Sequence, residues 1–323
     1  MYFLLFIIGL EVNMEGIKEK SGFILRSTFL IILLEAILGG LLIHFLFGYG
    51  WFISGLVALS FATVGEAVLV PILDEFKVIN TRLGQALIGI GTIDNVIEIG
   101  IFILVSILIG TSGSGDIAVM IGSLVVLVIL AVGLTKIRQI SNRFYFAGVE
   151  TMFFFVVFLF LLFIGIGYYA EAAPLAALLA GVSVKNFIPP QRFRAIDTEI
   201  KSMAYGFFVP VFFLWVGLEV DMGYIVAFPL SVIALVLVTK GAKILGSYIT
   251  ARKELGVKQS ILLGVGLSVR FSTSIVIVKM LLANNMIDIH LYSIIIASSI
   301  AFKFIVPLLF SNLLVRWGAE PNF

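Results

Sequence analysis

The sequence predicts an all-α, polytopic membrane protein, and three observations carry that prediction. Of 323 residues, 61% are apolar and only 12% are charged, whereas soluble chains carry about 25% charge. Apolar runs long enough to cross a bilayer recur along the whole chain. Basic residues fall on every second connection between those runs. With a mean hydropathy of +1.19, a water-soluble domain would lack the polar surface to cover itself, so lipid must cover much of it. The absence of cysteine excludes disulfides, thiolate metal sites and a Cys nucleophile. The two histidines, His44 and His290, stand near predicted segment ends and give no basis for a His-based metal site or triad.

In chain order, the spans read as 23–46, 51–73, 84–110, 117–135, 149–167, 227–250, 259–283 and 291–315, with shorter runs at 172–184 and 203–218. A 24-residue helix reaches about 36 Å, enough to cross with tilt. The opening stub, residues 1–10, reaches only about 15 Å. It has neither the basic flank nor the small-residue cleavage site of a signal peptide. It reads as the second half of a span, so the chain is expected to be N-terminally short, with 10–11 transmembrane helices in all.

Lysine and arginine set the orientation. Alternate connections carry Lys18, Lys20 and Arg26; Lys77 and Arg82; Lys136, Arg138 and Arg143; Lys185, Arg192, Arg194 and Lys201; Arg252, Lys253 and Lys258; and Arg316, sixteen in all. The intervening connections near 47–50, 111–116, 168–171, 219–226 and 284–290 carry none. The expected place is the cytoplasmic (inner) membrane, multi-pass, with the C-terminus cytoplasmic.

An internal repeat organises the chain. Gly9-Leu10-Glu11-Val12-Asn13-Met14 recurs as Gly217-Leu218-Glu219-Val220-Asp221-Met222, an offset of 208 that also relates Leu59-Ser60 to Leu267-Ser268. Seven spans separate the copies, so they face opposite sides and the repeats are inverted, a transporter signature. The division is a first repeat over 1–110, connecting helices over 111–202 and a second repeat over 203–316.

Nine ionisable residues remain inside spans: Glu35, Glu66, Asp94 and Glu98 against Lys240, Lys243, Arg270, Lys279 and Lys303. Each lone ion at mid-bilayer costs at least about 2.5–3.5 kcal/mol, so these groups should pair and are functional candidates by default. Asp94 and Glu98 share one helix face, and the stretch Gly89-Ile90-Gly91-Thr92 before Asp94 is small and polar, as water access requires. A carboxylate there can hold a proton or an alkali cation but not easily both, which is the physical basis of antiport.

Span 51–73 is interrupted at Ser60-Phe61-Ala62-Thr63-Val64-Gly65-Glu66, and span 259–283 at Ser268-Val269-Arg270-Phe271-Ser272-Thr273-Ser274. Two interrupted helices in corresponding places point to a midplane ion site. Freed carbonyls can coordinate a cation, while Arg270 or Glu66 offsets the opposing dipole ends. The competing reading is Ser/Thr bonding back onto an ordinary helix. Glu35 and Lys243 are 208 apart and so equivalent under the repeat. Either Lys240 or Lys243 should neutralise Asp94. Lys279 is close enough to the outer end to snorkel, and Lys303 has no assigned role.

These residues resemble the monovalent cation:proton antiporters of the Nap/Kef type. The matching stretches are Leu5-Phe6-Ile7-Ile8-Gly9-Leu10-Glu11; Leu73-Asp74-Glu75-Phe76 with Asn80-Thr81; Ile93-Asp94-Asn95-Val96; Phe207-Phe208-Val209-Pro210-Val211-Phe212-Phe213 running to Glu219; Lys243-Ile244-Leu245-Gly246; Arg270; and Pro307. The resemblance implies a dimerisation region, hence a homodimer, and a mobile core with two crossing discontinuous helices. It implies that Asp94 takes the first place of a paired-aspartate motif, that Lys243 can pair with it, and that Thr63 lies close to the ion. Two features depart from the family, in that Asn95 replaces the second aspartate and Phe271-Ser272 replaces Gly-Glu after the arginine, and the family's N-terminal two helices and half of a third are expected to be missing as well.

The function expected is secondary antiport of Na⁺ or K⁺ for H⁺, with these ions as substrates, no other cofactor, no enzymatic chemistry and no nucleic-acid partner. Asp94 binds the monovalent cation or proton. Asn95 and Thr63 supply neutral ligands, Lys243, Lys240 and Arg270 counter-charge, and Glu66 and Glu98 auxiliary titratable groups. The rival reading is a non-transporting or regulatory paralogue that keeps the scaffold after losing the second carboxylate.

Overall fold

A computed structural model of the chain describes residues 1–11, 22–61, 73, 75–79, 81–110, 117–136, 149–169, 172–188, 190–268 and 273–317, a few of them by backbone alone. The described residues form helices and no strands. They are α1 (Tyr2–Glu11), α2 (Gly22–Phe47), α3 (Trp51–Phe61), α4 (Arg82–Gly110), α5 (Ile117–Lys136), α6 (Val149–Tyr169), α7 (Ala173–Phe187), α8 (Pro190–Met203), α9 (Val209–Leu218), α10 (Met222–Ala227), α11 (Pro229–Gly266), α12 (Thr273–Ala283) and α13 (Ile289–Trp317). Among the described residues six stretches are long and apolar enough to cross a membrane: Gly22–Phe47, Arg82–Ser106, Glu150–Tyr169, Ile196–Leu218, Pro229–Gly266 and Ile289–Trp317. Shorter apolar helices, Trp51–Ser60, Val125–Leu134, Ala173–Phe187 and Ser274–Ala283, accompany them. The chain is an integral, multi-pass membrane protein.

Two compact units divide the chain, one of Met1–Val12 with Phe102–Leu218, the other of Asn13–Ile101 with Glu219–Phe323. This division follows packing and cuts across the repeat boundaries.

In the first unit, α1 crosses α7 at Gly9 and Gly181, where backbone meets backbone. A methyl group on Gly9 would run into the Leu178 carbonyl, and one on Gly181 into that of Phe6. Small residues at a helix crossing allow this approach in lipid, where apolar burial alone does not drive helices together. Phe3 stacks on Phe208 at 4.5 Å between centroids and meets Phe160 edge-on at 5.3 Å. The connection 185–201 holds the amphipathic helix α8, with a Lys201–Asp197 ion pair of 3.1 Å one turn apart. Its polarity hid it from a search for apolar runs. A π-helical turn, Ala204–Phe208, joins α8 to α9.

In the second unit, α2 packs on α3 and α11, α11 on α13, and α12 on both α3 and α13. The contact of α3 with α12 brings together one described half of each interrupted span. The long helix α11 bends at Gly256, whose φ of 78° lies in the left-handed region. Beyond the bend the arm 257–266 runs beside the first arm, because a methyl on Gly264 would sit 2.6 Å from the Ile244 Cα. That bend falls between the predicted spans 227–250 and 259–283.

Asp221 caps α10 by accepting from the Tyr224 N–H at 2.9 Å, and its own N–H donates to Ser293 Oγ at 2.8 Å. In the turn 48–50, the Tyr49 hydroxyl accepts from the Asp288 N–H at 2.9 Å. Burial pushes the Tyr49 phenol up to about 12, so it stays neutral.

Candidate functional site

The described ionisable residues predicted for the membrane interior, Glu35, Asp94, Glu98, Lys240, Lys243, Lys279 and Lys303, all belong to the second unit. The face of α11 that carries Lys240 and Lys243 is buried, the two side chains lying three residues apart. Gly246, one turn beyond Lys243, lets α2 approach: a methyl there would lie 3.2 Å from the Ile31 Cα. At this crossing the Lys243 ammonium stands 3.3 Å from Glu35 Oε2, with both side chains fully buried. The two positions that the sequence offset of 208 relates therefore meet as an ion pair. Glu35, on α2, is thus a partner of Lys243. Sequence reasoning counted Glu35 among the intramembrane candidates and related it to Lys243 by the offset of 208, but gave it no role at the site.

Lys240 is turned to the interrupted helix. Its ammonium donates to the Ser268 carbonyl at 3.0 Å and lies 4.7 Å from the Phe302 ring centroid. Ser268 lies two residues past the end of α11, so this charge sits at the negative end of the helix dipole, where a cation is favoured. The Ser268 hydroxyl itself donates to the Gly264 carbonyl at 2.7 Å, and Ser60 in α3 does the same to Val57 at 2.7 Å. Both hydroxyls at the edges of the interruptions are therefore bonded to their own helices.

Asp94 and Glu98 lie on α4, Asp94 at 1% and Glu98 at 6% exposure. Thr92, half a turn before Asp94, returns its hydroxyl to the Ile88 carbonyl at 2.7 Å. α4 meets α2 where Gly89 faces Ile24; a methyl on Gly89 would come within 2.6 Å of the Ile24 Cδ1. Asn95 lies on α4 with its backbone helical, but its side chain is outside the description. Thr63, Glu66 and Arg270 lie outside the described residues.

One expectation is corrected. Lys279 does not snorkel: it is 5% exposed, pairs with Glu219 and lies 5.8 Å from the Tyr292 ring centroid. The connection after α9 folds Glu219 back over α12, and a paired ammonium has no reason to reach for water. Lys303 stands on the exposed flank of α13. Among the described residues no group of three or more His, Cys, Asp or Glu could hold a metal ion.

The model of the sodium/hydrogen exchanger transmembrane family matches residues 1–316. The chain belongs to the sodium/hydrogen exchanger family. The resemblance read from the sequence is thereby borne out. A probable Na⁺/H⁺ antiporter of Methanocaldococcus jannaschii is 28% identical over 243 residues, covering 73% of this chain and 60% of that protein. The Na⁺/H⁺ antiporter of Enterococcus hirae is 23% identical over 324 residues, 95% of this chain and 81% of its own length. A glutathione-regulated potassium-efflux system protein, KefC, of Escherichia coli is 27% identical over 246 residues, 72% of this chain but 38% of that protein.

Proposed function

We propose that the chain is a secondary active antiporter that exchanges a monovalent cation, Na⁺ or K⁺, for H⁺ across the cytoplasmic membrane. The observation that carries this reading is a carboxylate, Asp94, buried to 1% exposure in an apolar helix of the same compact unit as the buried Glu35–Lys243 pair. A carboxylate held there is neutralised either by a proton or by an alkali cation, and arrival of one expels the other. Asn95 and Thr63 add neutral oxygen ligands. Lys243 supplies counter-charge, with Lys240 at the Ser268 carbonyl and Arg270 nearby in sequence, and Glu98 and Glu66 serve as auxiliary titratable groups. Relatives that are themselves antiporters support exchange over a non-transporting role. Sixteen basic residues on one set of connections against none on the other support a cytoplasmic C-terminus.

Sealed vesicles carrying the protein and a preset pH gradient test the reading. Addition of Na⁺, Li⁺ or K⁺ dissipates the gradient in the wild type and not in Asp94→Asn. An inert wild type, or an undiminished Asp94→Asn, contradicts the assignment.

A further inference from the structure

We propose that His290 is a pH-responsive clasp: when protonated it bridges Asp221 and Asp288 at the outer ends of α10 and α13, and so restrains exchange while the outer side is acid. The clasp stands on geometry away from the α4 acids. Its effect on transport rests on the antiport reading and the topology proposed above.

Both aspartates are held in place by caps. Asp221 uses Oδ1 to accept from the Tyr224 N–H at the start of α10. Asp288 does the same for α13, its Oδ1 accepting from the Leu291 N–H at 2.8 Å. The second oxygen of each is turned to His290. Asp221 Oδ2 stands 3.9 Å from Nε2 and Asp288 Oδ2 3.9 Å from Nδ1, on opposite edges of the imidazole. Tyr224 stacks on the ring at 4.2 Å between centroids and 20° between planes. Two backbone donors complete the arrangement: the Asp221 N–H reaches Ser293 Oγ on α13, and the Asp288 N–H reaches the Tyr49 hydroxyl.

The two edges of the ring decide what a proton does there. A neutral imidazole has one N–H and one lone pair, so it donates toward one aspartate and turns its lone pair on the other. The imidazolium donates from both nitrogens, and its charge lies over the Tyr224 ring, a favourable cation–π placement. Histidine is the side chain that changes charge between about pH 5 and 8, where carboxylates ordinarily stay ionised. With its side chain 47% exposed, His290 meets the aqueous phase directly. On the described elements around this end of α13, the other titratable groups are Tyr224 on α10, Tyr292 on α13, Lys279 on α12 with its partner Glu219, and Tyr49 and His44 at the turn 48–50; the outer end of α11, residues 229–239, brings none. Tyr49, pushed up to about 12 by burial, keeps its proton throughout. His44 Nδ1 lies 2.6 Å from the Tyr49 carbonyl, a contact that needs a single donor and holds in either charge state. The clasp bears on transport through its attachments. Tyr49 leads into α3, and Asp288 follows α12, the described halves of the two interrupted spans. Drawing Asp221 and Asp288 onto one imidazolium ties both to α10 and slows exchange when an acid exterior drives protons inward.

Two measurements test this on the wild type, His290→Gln, His290→Arg and Asp221→Asn, the last of which keeps a capping oxygen. The first is hydrogen exchange at about pH 5.5 and about pH 8, either side of the ordinary histidine range, corrected for the intrinsic pH dependence of amide exchange. In the wild type the Tyr224, Asp288 and Leu291 amides are roughly two- to fivefold better protected at acid pH, the scale of two solvent-screened ion pairs. The difference shrinks in Asp221→Asn and is lost in His290→Gln, while His290→Arg is protected at both pH values. The second is flux in proteoliposomes of uniform orientation, with the outer pH varied and the inner pH fixed. Saturating cation removes competition at the exchange site. The maximal rate of the wild type falls by a similar factor as the outer side is acidified; His290→Gln lacks that fall, and His290→Arg is slow at both pH values. Acid protection or acid slowing that His290→Gln keeps in full, or a His290→Arg that behaves like His290→Gln, overturns the proposal. A wild type with no cation-dependent flux overturns the antiport reading and the restraint together, whereas normal wild-type flux with an unmoved His290→Gln overturns this proposal alone.

Discussion

Lys243 shows how a residue can be placed in the sequence while part of its company goes unread. As a lysine within an apolar span it has to find an anion, and the family resemblance offers Asp94. The fold supplies Glu35, across a helix crossing that Gly246 opens. Because both side chains are fully buried, Lys243→Ala strands a carboxylate and is expected to destabilise the protein by roughly 3–5 kcal/mol. Pairing it with Glu35→Gln should recover most of that loss. Thermal unfolding of the three variants in detergent checks this: a double variant no more stable than Lys243→Ala would show that the ion pair is not what the mutation breaks. At Asp94, Asn keeps the shape and removes the titratable group, so exchange should fall by roughly a hundredfold, the scale of losing a proton-transfer group. Lys279 was misjudged for the opposite reason. Its distance from the end of the span suggested an escape to water, and nothing local in the sequence announced that Glu219, sixty residues earlier, would be folded back to meet it.

Among the elements, long apolar helices were legible and their interruptions only partly so. Hydropathy separates 227–250 from 259–283 because Arg252, Lys253 and Lys258 lie between them, and the structure puts the bend at Gly256. A left-handed residue in a continuous helical pattern, however, is a tertiary choice that hydropathy does not register. α8 escaped notice since an amphipathic helix has no long apolar run to find. The Gly9–Gly181 crossing likewise depends on two helices that are far apart in sequence. It makes a direct prediction about packing. Gly9→Val should destabilise the protein by about 1–3 kcal/mol through overpacking, while Gly165→Ala, whose added methyl would meet nothing within 4 Å, should leave the melting temperature unchanged. Equal shifts for the two substitutions would mean that the close approach of α1 and α7 is not what the glycine serves.

For the whole molecule, composition alone was enough to place the chain in lipid, and the alternation of basic residues gives it a direction. The absence of native cysteine makes that direction easy to test. A single cysteine at Lys253 should react with an impermeant thiol reagent only from the cytoplasmic side, and one at Met286 only from the outer side. Labelling of both from one side would reverse or dissolve the proposed topology. The function was legible because ionisable residues are so expensive in apolar helices that the few retained stand out. What the sequence could not supply was their pairing, which depends on helix crossings in the second unit.

The central claim is that one buried carboxylate site holds either a cation or a proton. Calorimetric titration of the purified protein with Na⁺ and K⁺, repeated in buffers of different ionisation heat, measures the protons released as the cation binds. The account predicts net proton release on binding of at least one of these cations to the wild type, and its loss in Asp94→Asn. Cation binding to the wild type with no proton released, or release that persists in Asp94→Asn, would contradict it.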